Sequence, residues 1–133
     1  MTSKVIYDGD LRVGCEHVQS GSQIVTDAPK DNNGKGDRFS PTDLVATALA
    51  SCMLTVMGIK ANQSNIPFSM VSAEVVKVMS ANPRKISEIL VNIEIAHKWD
   101  DKQRKIMETT GLNCPVAKSL HPDLTQNISF VYL

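Results

Sequence analysis

Three cysteines and three histidines are the first candidates for nucleophilic, redox or metal chemistry in this chain. Cys114 lies in "NCPVAKSL". Proline suits the first position of a helix, so Pro115 predicts a helix start with Cys114 as its N-cap. There the sulfur could accept hydrogen bonds from the amides of Val116 or Ala117, and the helix dipole favours a thiolate. Thiols so placed ionise below the ordinary value of about 8.5. The competing reading is a turn whose cysteine packs inward. Cys52 sits in "ATALASCMLTVMG", three turns into a helical run, where neither cap amides nor dipole help it. Free cysteine is among the most buried residue types, so core packing is its plain reading. Its small neighbours Ala48, Ala50 and Ser51 would still admit a partner helix or a small substrate. Cys15 lies in strand-like sequence and reads as structural.

The histidines add little. His97 follows an apolar strand face, His17 ends a strand, and His121 precedes Pro122 in a loop. A cysteine hydrolase built on Cys114 and His121 needs the two close in space. No Cys/His spacing recurs as a metal site requires, so no metal and no cofactor is expected. "KDNNGKGDR" has glycines but no Lys-Ser/Thr after them, so it is no phosphate loop. Fourteen basic and fourteen acidic residues cancel, which argues against a nucleic-acid partner or a polybasic membrane surface. The uncharged run 44–59 is interrupted by Thr47, Ser51 and Thr55 and reads as too short to span a bilayer. The amino-terminal stretch has no secretory h-region. An odd cysteine count without close pairs fits a reduced, cytoplasmic compartment. With 133 residues, one domain spanning 1–133 is expected.

The elements that must position these residues follow from pattern. Residues 4–28 are rich in β-branched and aromatic side chains, with "QSGS" as a turn. Ser40, Pro41 and Asp43 predict a capped helix start, and the helix runs to about Asn62. Uncharged along 44–59, that helix is expected to be buried all round, and a partner subunit is the simplest cover for it. "ANPR" joins two strands, the second placing Ile89, Val91, Ile93 and Ile95 on one face. Asp100 or Asp101 caps a shorter helix that Gly111 is placed to stop. A final strand has Ile128, Phe130 and Tyr132 on one face. The order βββ-α-ββ-α-α-β predicts an α+β domain with segregated antiparallel sheet.

Taken together, "FSPTDLVATALASCM" and "NCPVAKSL" resemble the two signature segments of the OsmC/Ohr family, the osmotically inducible and organic-hydroperoxide-resistance proteins. The order of elements agrees over essentially the whole chain. "IVTDAP" and the glycine loop are similar to the broader OsmC-like branch. The resemblance implies an OsmC-like fold, with sheets wrapped around two long central helices in an intertwined homodimer. It also implies a thiol-dependent peroxidase of oxidative-stress defence. Cys52 would attack an organic hydroperoxide, and hydrogen peroxide is a further substrate to consider. Cys114 would resolve the sulfenic acid as a disulfide, and an external dithiol would reduce both. In the peroxidase branches an arginine salt-bridged to a glutamate activates the attacking thiol. Here Thr42 stands at the glutamate's position, and Asp43 is the nearest carboxylate. Asp43 lies about 2.5 turns from Cys52, nearly opposite on an ideal helix, and fits a cap as well as an activator. Arg38 is the favoured cation, with Arg12 nearer the segment where the family's arginine falls. Two alternatives stay open: a non-catalytic dimeric redox or small-ligand-binding protein, and the Cys114–His121 hydrolase.

Overall fold

The computed structural model describes residues 1–133, and its elements follow the predicted order. They fall into two compact units, Met1–Val45 and Ala46–Leu133.

In the first unit β1 (Ser3–Gly9), β2 (Arg12–His17) and β3 (Gln23–Asp27) form an antiparallel sheet in that order. Asp10 and Leu11 turn β1 into β2 with φ of 54° and 63°. Two left-handed residues in succession match the right-handed twist of a hairpin. Val5, Cys15 and Ile24 are paired in one row across the sheet, so Cys15 is a strand residue, as its sequence setting predicts. A 3-10 turn, Lys30–Asn32, opens the glycine loop. A Cβ on Gly34 would lie 1.7 Å from the Ala28 carbonyl oxygen. Close backbone packing therefore accounts for a glycine there.

The long helix α1 (Pro41–Ser64) starts in this unit. The Ser40 hydroxyl accepts the Asp43 N–H at 3.0 Å, and the Ser40 N–H donates to the Asp43 carboxylate at 2.9 Å. This reciprocal pair satisfies donors that a bare helix start leaves open.

In the second unit α1 continues beside a sheet of β4 (Val71–Ser80), β5 (Lys85–Ile95) and β6 (Thr125–Tyr132). One stripe of α1, from Ala46 through Leu49, Ala50, Met53 and Met57 to Ala61, is buried. It joins one core with Ile89, Val91, Ile93 and Ile95 of β5, all essentially inaccessible. Burying Leu49, Met53 and Met57 contributes about 1.5–3 kcal/mol each. The expectation of burial all round holds for this stripe alone: Ala48, Ser51, Thr55 and Ile59 stay exposed in the single chain. By length and composition α1 is apolar enough to cross a bilayer, contrary to the reading of 44–59 as too short. Its stripe is nevertheless core in this unit.

The sheet is not wholly antiparallel. β4 and β5 pair antiparallel, as "ANPR" predicts, but β5 and β6 run parallel. The reason lies in what separates them. Parallel neighbours need a long crossover, and here it carries α2 (Asp101–Leu112) and α3 (Pro115–Ser119). The Tyr132 hydroxyl donates to Glu108 at 2.8 Å, and Arg104 lies 3.9 Å over the Tyr132 ring, so α2 is tied to β6. Burial and Glu108 push the Tyr132 phenol up, which keeps it a donor.

Asp100 caps α2, accepting the Gln103 N–H at 2.8 Å while the Gln103 side chain takes the Asp100 N–H at 3.0 Å. Gly111 does not stop this helix, which runs on to Leu112. Asp100→Ala is expected to destabilise the fold by about 1 kcal/mol. A lower urea midpoint at unchanged slope would show it, and an unchanged midpoint would remove the box from the account of α2.

Candidate functional site

Cys52 and Cys114 come together in the second unit. Cys114 caps α3 as its sequence predicts, its sulfur accepting the Ala117 N–H at 3.3 Å. A hydrogen bond from Gln126 to the Ala117 carbonyl, 2.9 Å, fixes α3 to β6. The Cys114 N–H itself donates to the Gly111 carbonyl at 3.3 Å, joining the cap to the end of α2. Cys52 rides on α1 beside the buried stripe and packs against the core. Its thiol is near enough to hydrogen-bond the thiol of Cys114. Both are free thiols.

Burial reverses the expectation from local sequence. Cys114, at the helix start, is 1% exposed, whereas Cys52 in its apolar run is half-buried. The ionisation of Cys114 also runs against the cap argument. Desolvation pushes its pKa up, and the hydrogen bond and charge of Cys52 push it further. The Ala117 and Val116 amides pull the other way and lose. A helix start of one short turn offers only two amides, and they do not offset the loss of water. The native state thus holds a proton that the unfolded chain releases. The stability linked to it is complete below the ordinary thiol value and is lost as pH rises through the raised one.

Arg12, Arg38 and Asp43 belong to the first unit. Asp43 is engaged as the cap of α1. Thr42 Oγ1 lies 3.2 Å from the Ser40 hydroxyl. Arg38 is exposed, its guanidinium donating to the Asp37 carbonyl at 3.3 Å. Sequence reasoning missed the partner of Arg12. Its Nε and one terminal nitrogen reach the two oxygens of Asp27 at 2.7 and 2.9 Å, a bidentate pair. Asp27 is 2% exposed, and Arg12 holds its carboxyl below the usual carboxylate range. The Asp37 carboxylate adds a longer contact to Arg12 at 3.8 Å. Strand alternation would have shown Arg12 and Asp27 directly paired, had the registers of β2 and β3 been known.

The histidines are occupied elsewhere. His121 Nδ1 accepts the Asp123 N–H at 3.0 Å on an exposed turn. His97 stacks on Trp99 and bonds Ser69, the packing role its position suggests.

The family profile of OsmC-like proteins matches residues 34–129. Among solved structures, a proposed osmotic stress induced and detoxification response protein of Psychrobacter arcticus 273-4 is 55% identical. It superposes with a TM-score of 0.94 over 98% of this chain and 95% of its own. An OsmC-like protein of Mycoplasma pneumoniae shares 19% identity at a TM-score of 0.83, covering 98% of this chain and 95% of its own. An organic hydroperoxide resistance protein, OsmC, of Legionella pneumophila shares 17% identity at 0.78, covering 98% and 97%. At those identities the last two speak to the fold alone. No curated protein matches the chain.

With Cys52 among the groups that raise the Cys114 thiol, iodoacetamide is expected to alkylate Cys114 with a midpoint above that of an ordinary thiol. In Cys52→Ser that midpoint drops, because two of the causes that raise it leave with the sulfur. Peptide mass analysis across pH reads both values. An unmoved midpoint in the variant would separate the thiols.

Proposed function

We propose that this chain, which belongs to the OsmC-like protein family, is a thiol-dependent peroxidase that reduces organic hydroperoxides in oxidative-stress defence. The observation that carries the reading is that two free thiols, one half-buried on α1 and one sealed at a helix start, lie near enough for Cys52 to raise the Cys114 thiol. The detoxification response ascribed to the Psychrobacter arcticus protein agrees with it.

The steps follow from that proximity. The Cys52 thiolate attacks the outer oxygen of the hydroperoxide, an S–O bond forms and the O–O bond breaks. The alkoxide takes a proton and leaves as the alcohol, and Cys52 is a sulfenic acid. The Cys114 sulfur then attacks the Cys52 sulfur. The S–S bond forms, the S–O bond breaks, and hydroxide leaves with the Cys114 proton as water. An external dithiol reduces the disulfide by exchange and is itself oxidised. Burial and the neighbouring Cys52 help Cys114 keep its proton, which suits a resolving thiol. The exposed apolar and small side of α1, with Ala48, Ser51 and Ile59 near Cys52, suits an organic tail.

The same exposed side of α1 supports a homodimer, a second copy being the simplest cover for it. The reading further takes residues 1–133 as a single OsmC-like domain, a view favoured by the 98% coverage of its 55% identical relative. It places the protein in the cytoplasm, where thiols stay reduced. Asp43 contributes by holding the first turn of α1. The activating cation is assigned to Arg38, with the anchored Arg12 as its rival.

Purified protein is expected to consume tert-butyl hydroperoxide with dithiothreitol as reductant. Cys52→Ser should lose at least 100-fold of that rate. Cys114→Ser should instead accumulate a sulfenic acid that dimedone traps. Equal, slow loss of peroxide in wild type and Cys52→Ser would sink the reading. It would leave the non-catalytic redox or ligand-binding alternative, to which the absence of a carboxylate at Thr42 lends support. For the cation, Arg38→Ala and Arg12→Ala are to be compared. Arg38→Ala should slow sulfenic acid formation at least tenfold, and an effect confined to Arg12→Ala would transfer the role.

A further inference from the structure

Gly111 is buried inside α2, one residue before its end. Its φ is not in the left-handed region, which among the glycines holds only Gly9, Gly21 and Gly36. Any residue could adopt its backbone, and glycine is among the poorest helix formers. The reason for glycine must therefore lie in space. A Cβ built there would stand 2.9 Å from Met57 Sδ and 3.3 Å from Met57 Cγ, with Met53 Cε at 3.6 Å. Both methionines belong to the buried stripe of α1, and neither is more than 1% exposed. A close-packed core leaves them little room to retreat. The carbonyl of the same residue bonds the backbone of Cys114. It accepts the N–H of Cys114 at 3.3 Å, and the Thr110 carbonyl accepts that of Asn113 at 3.3 Å.

We propose that Gly111 is a positioning residue for the cysteine pair. Its missing side chain lets the last turn of α2 close on Met53 and Met57, and its carbonyl then sets the backbone of Cys114 within reach of Cys52. Met53 follows Cys52 directly on α1, so the contact that fixes the spacing of the helices adjoins the thiol it serves. A disulfide tolerates little error in the separation of its two backbones. A Cβ at residue 111 would push the α2 end, and Cys114 with it, away from α1. This inference rests on the pairing of Cys52 with Cys114, and deepens it.

The test separates the two. Diamide oxidises two thiols to a disulfide, its N=N bond taking up both protons and both electrons, so it reads closure of the pair without any peroxide. Cys15→Ser serves as the background, and closure is followed by loss of free thiol and by peptide mass. Gly111→Ala is expected to close at least tenfold more slowly. It should also trap more Cys52 sulfenic acid with dimedone after tert-butyl hydroperoxide. Gly111→Ala/Met57→Ala, which removes the opposing sulfur, is expected to recover closure to within threefold, although it opens a core cavity and lowers the urea midpoint. A merely structural glycine would not give faster closure in a less stable protein. Closure by Gly111→Ala at the wild-type rate overturns the proposal, as does a double variant no faster than the single one. If Gly111→Ala does not fold, the double variant decides alone: closure near the background rate supports the proposal, and closure tenfold slower overturns it. Normal diamide closure without peroxide turnover would sink the peroxidase reading and leave Gly111 standing. Absence of diamide closure in the background protein would overturn the pair, and with it the role of Gly111.

Discussion

An uncharged helix has to be covered, and much of the second unit follows from covering α1. Residues 44–59 offer water no charge, and the stripe from Ala46 to Ala61 is buried in one core with the inward row of β5. Small residues at Ala46, Ala50 and Ala61 keep that stripe narrow, while Leu49, Met53 and Met57 supply its bulk. Unbranched methionine fills an irregular gap well, and the gap here is the one left by Gly111. Cys52 lies just off the stripe. That edge position gives it partial exposure without leaving the core.

Cys114 shows how two local forces are ranked. A helix start favours a thiolate through amides and dipole, whereas removal from water disfavours one. α3 has a single short turn to offer, and Cys114 is almost wholly inaccessible. Burial wins, and the neighbouring sulfur adds to it. The cap then serves geometry. An N–H from Ala117 on the sulfur and a carbonyl from Gly111 on the backbone hold the thiol at both ends.

Much of the fold was legible because periodicity and capping are local. The row Ile89, Val91, Ile93 and Ile95 announces a strand with one buried face. Ser40 with Asp43 announces α1 through spacing alone, and an aspartate at 100 or 101 announces α2, where Asp100 proves to be the cap. What was not legible depends on partners distant in the chain. Nothing near Tyr132 says that β6 runs parallel to β5; the crossover through α2 and α3 decides it. Gly111 reads as a stop signal until Met57 is placed against it. Arg12 shows no anchor until the β2–β3 register brings Asp27 opposite. The two cysteines could be named from their settings and from family resemblance, but their order of burial could not. It depends on how each cysteine packs against the shared core, which no single segment encodes.

The first unit carries a second constraint of the same kind. Asp27 is a buried carboxylate, and a buried charge is costly unless paired. Arg12 meets both its oxygens, so the cost is offset by charge and by geometry together. Around that pair the backbone closes: the Asp27 N–H donates to the Phe39 carbonyl at 3.1 Å, and the Ala28 N–H to Leu11 at 3.1 Å. These bonds tie the glycine loop down at both of its ends, next to the Ser40 cap. The first turn of α1 is therefore set by a chain of polar contacts that begins at Arg12. Its later turns are set by apolar burial. The helix that bears Cys52 is thus held by polar contacts at its start in the first unit and by apolar burial along its length in the second.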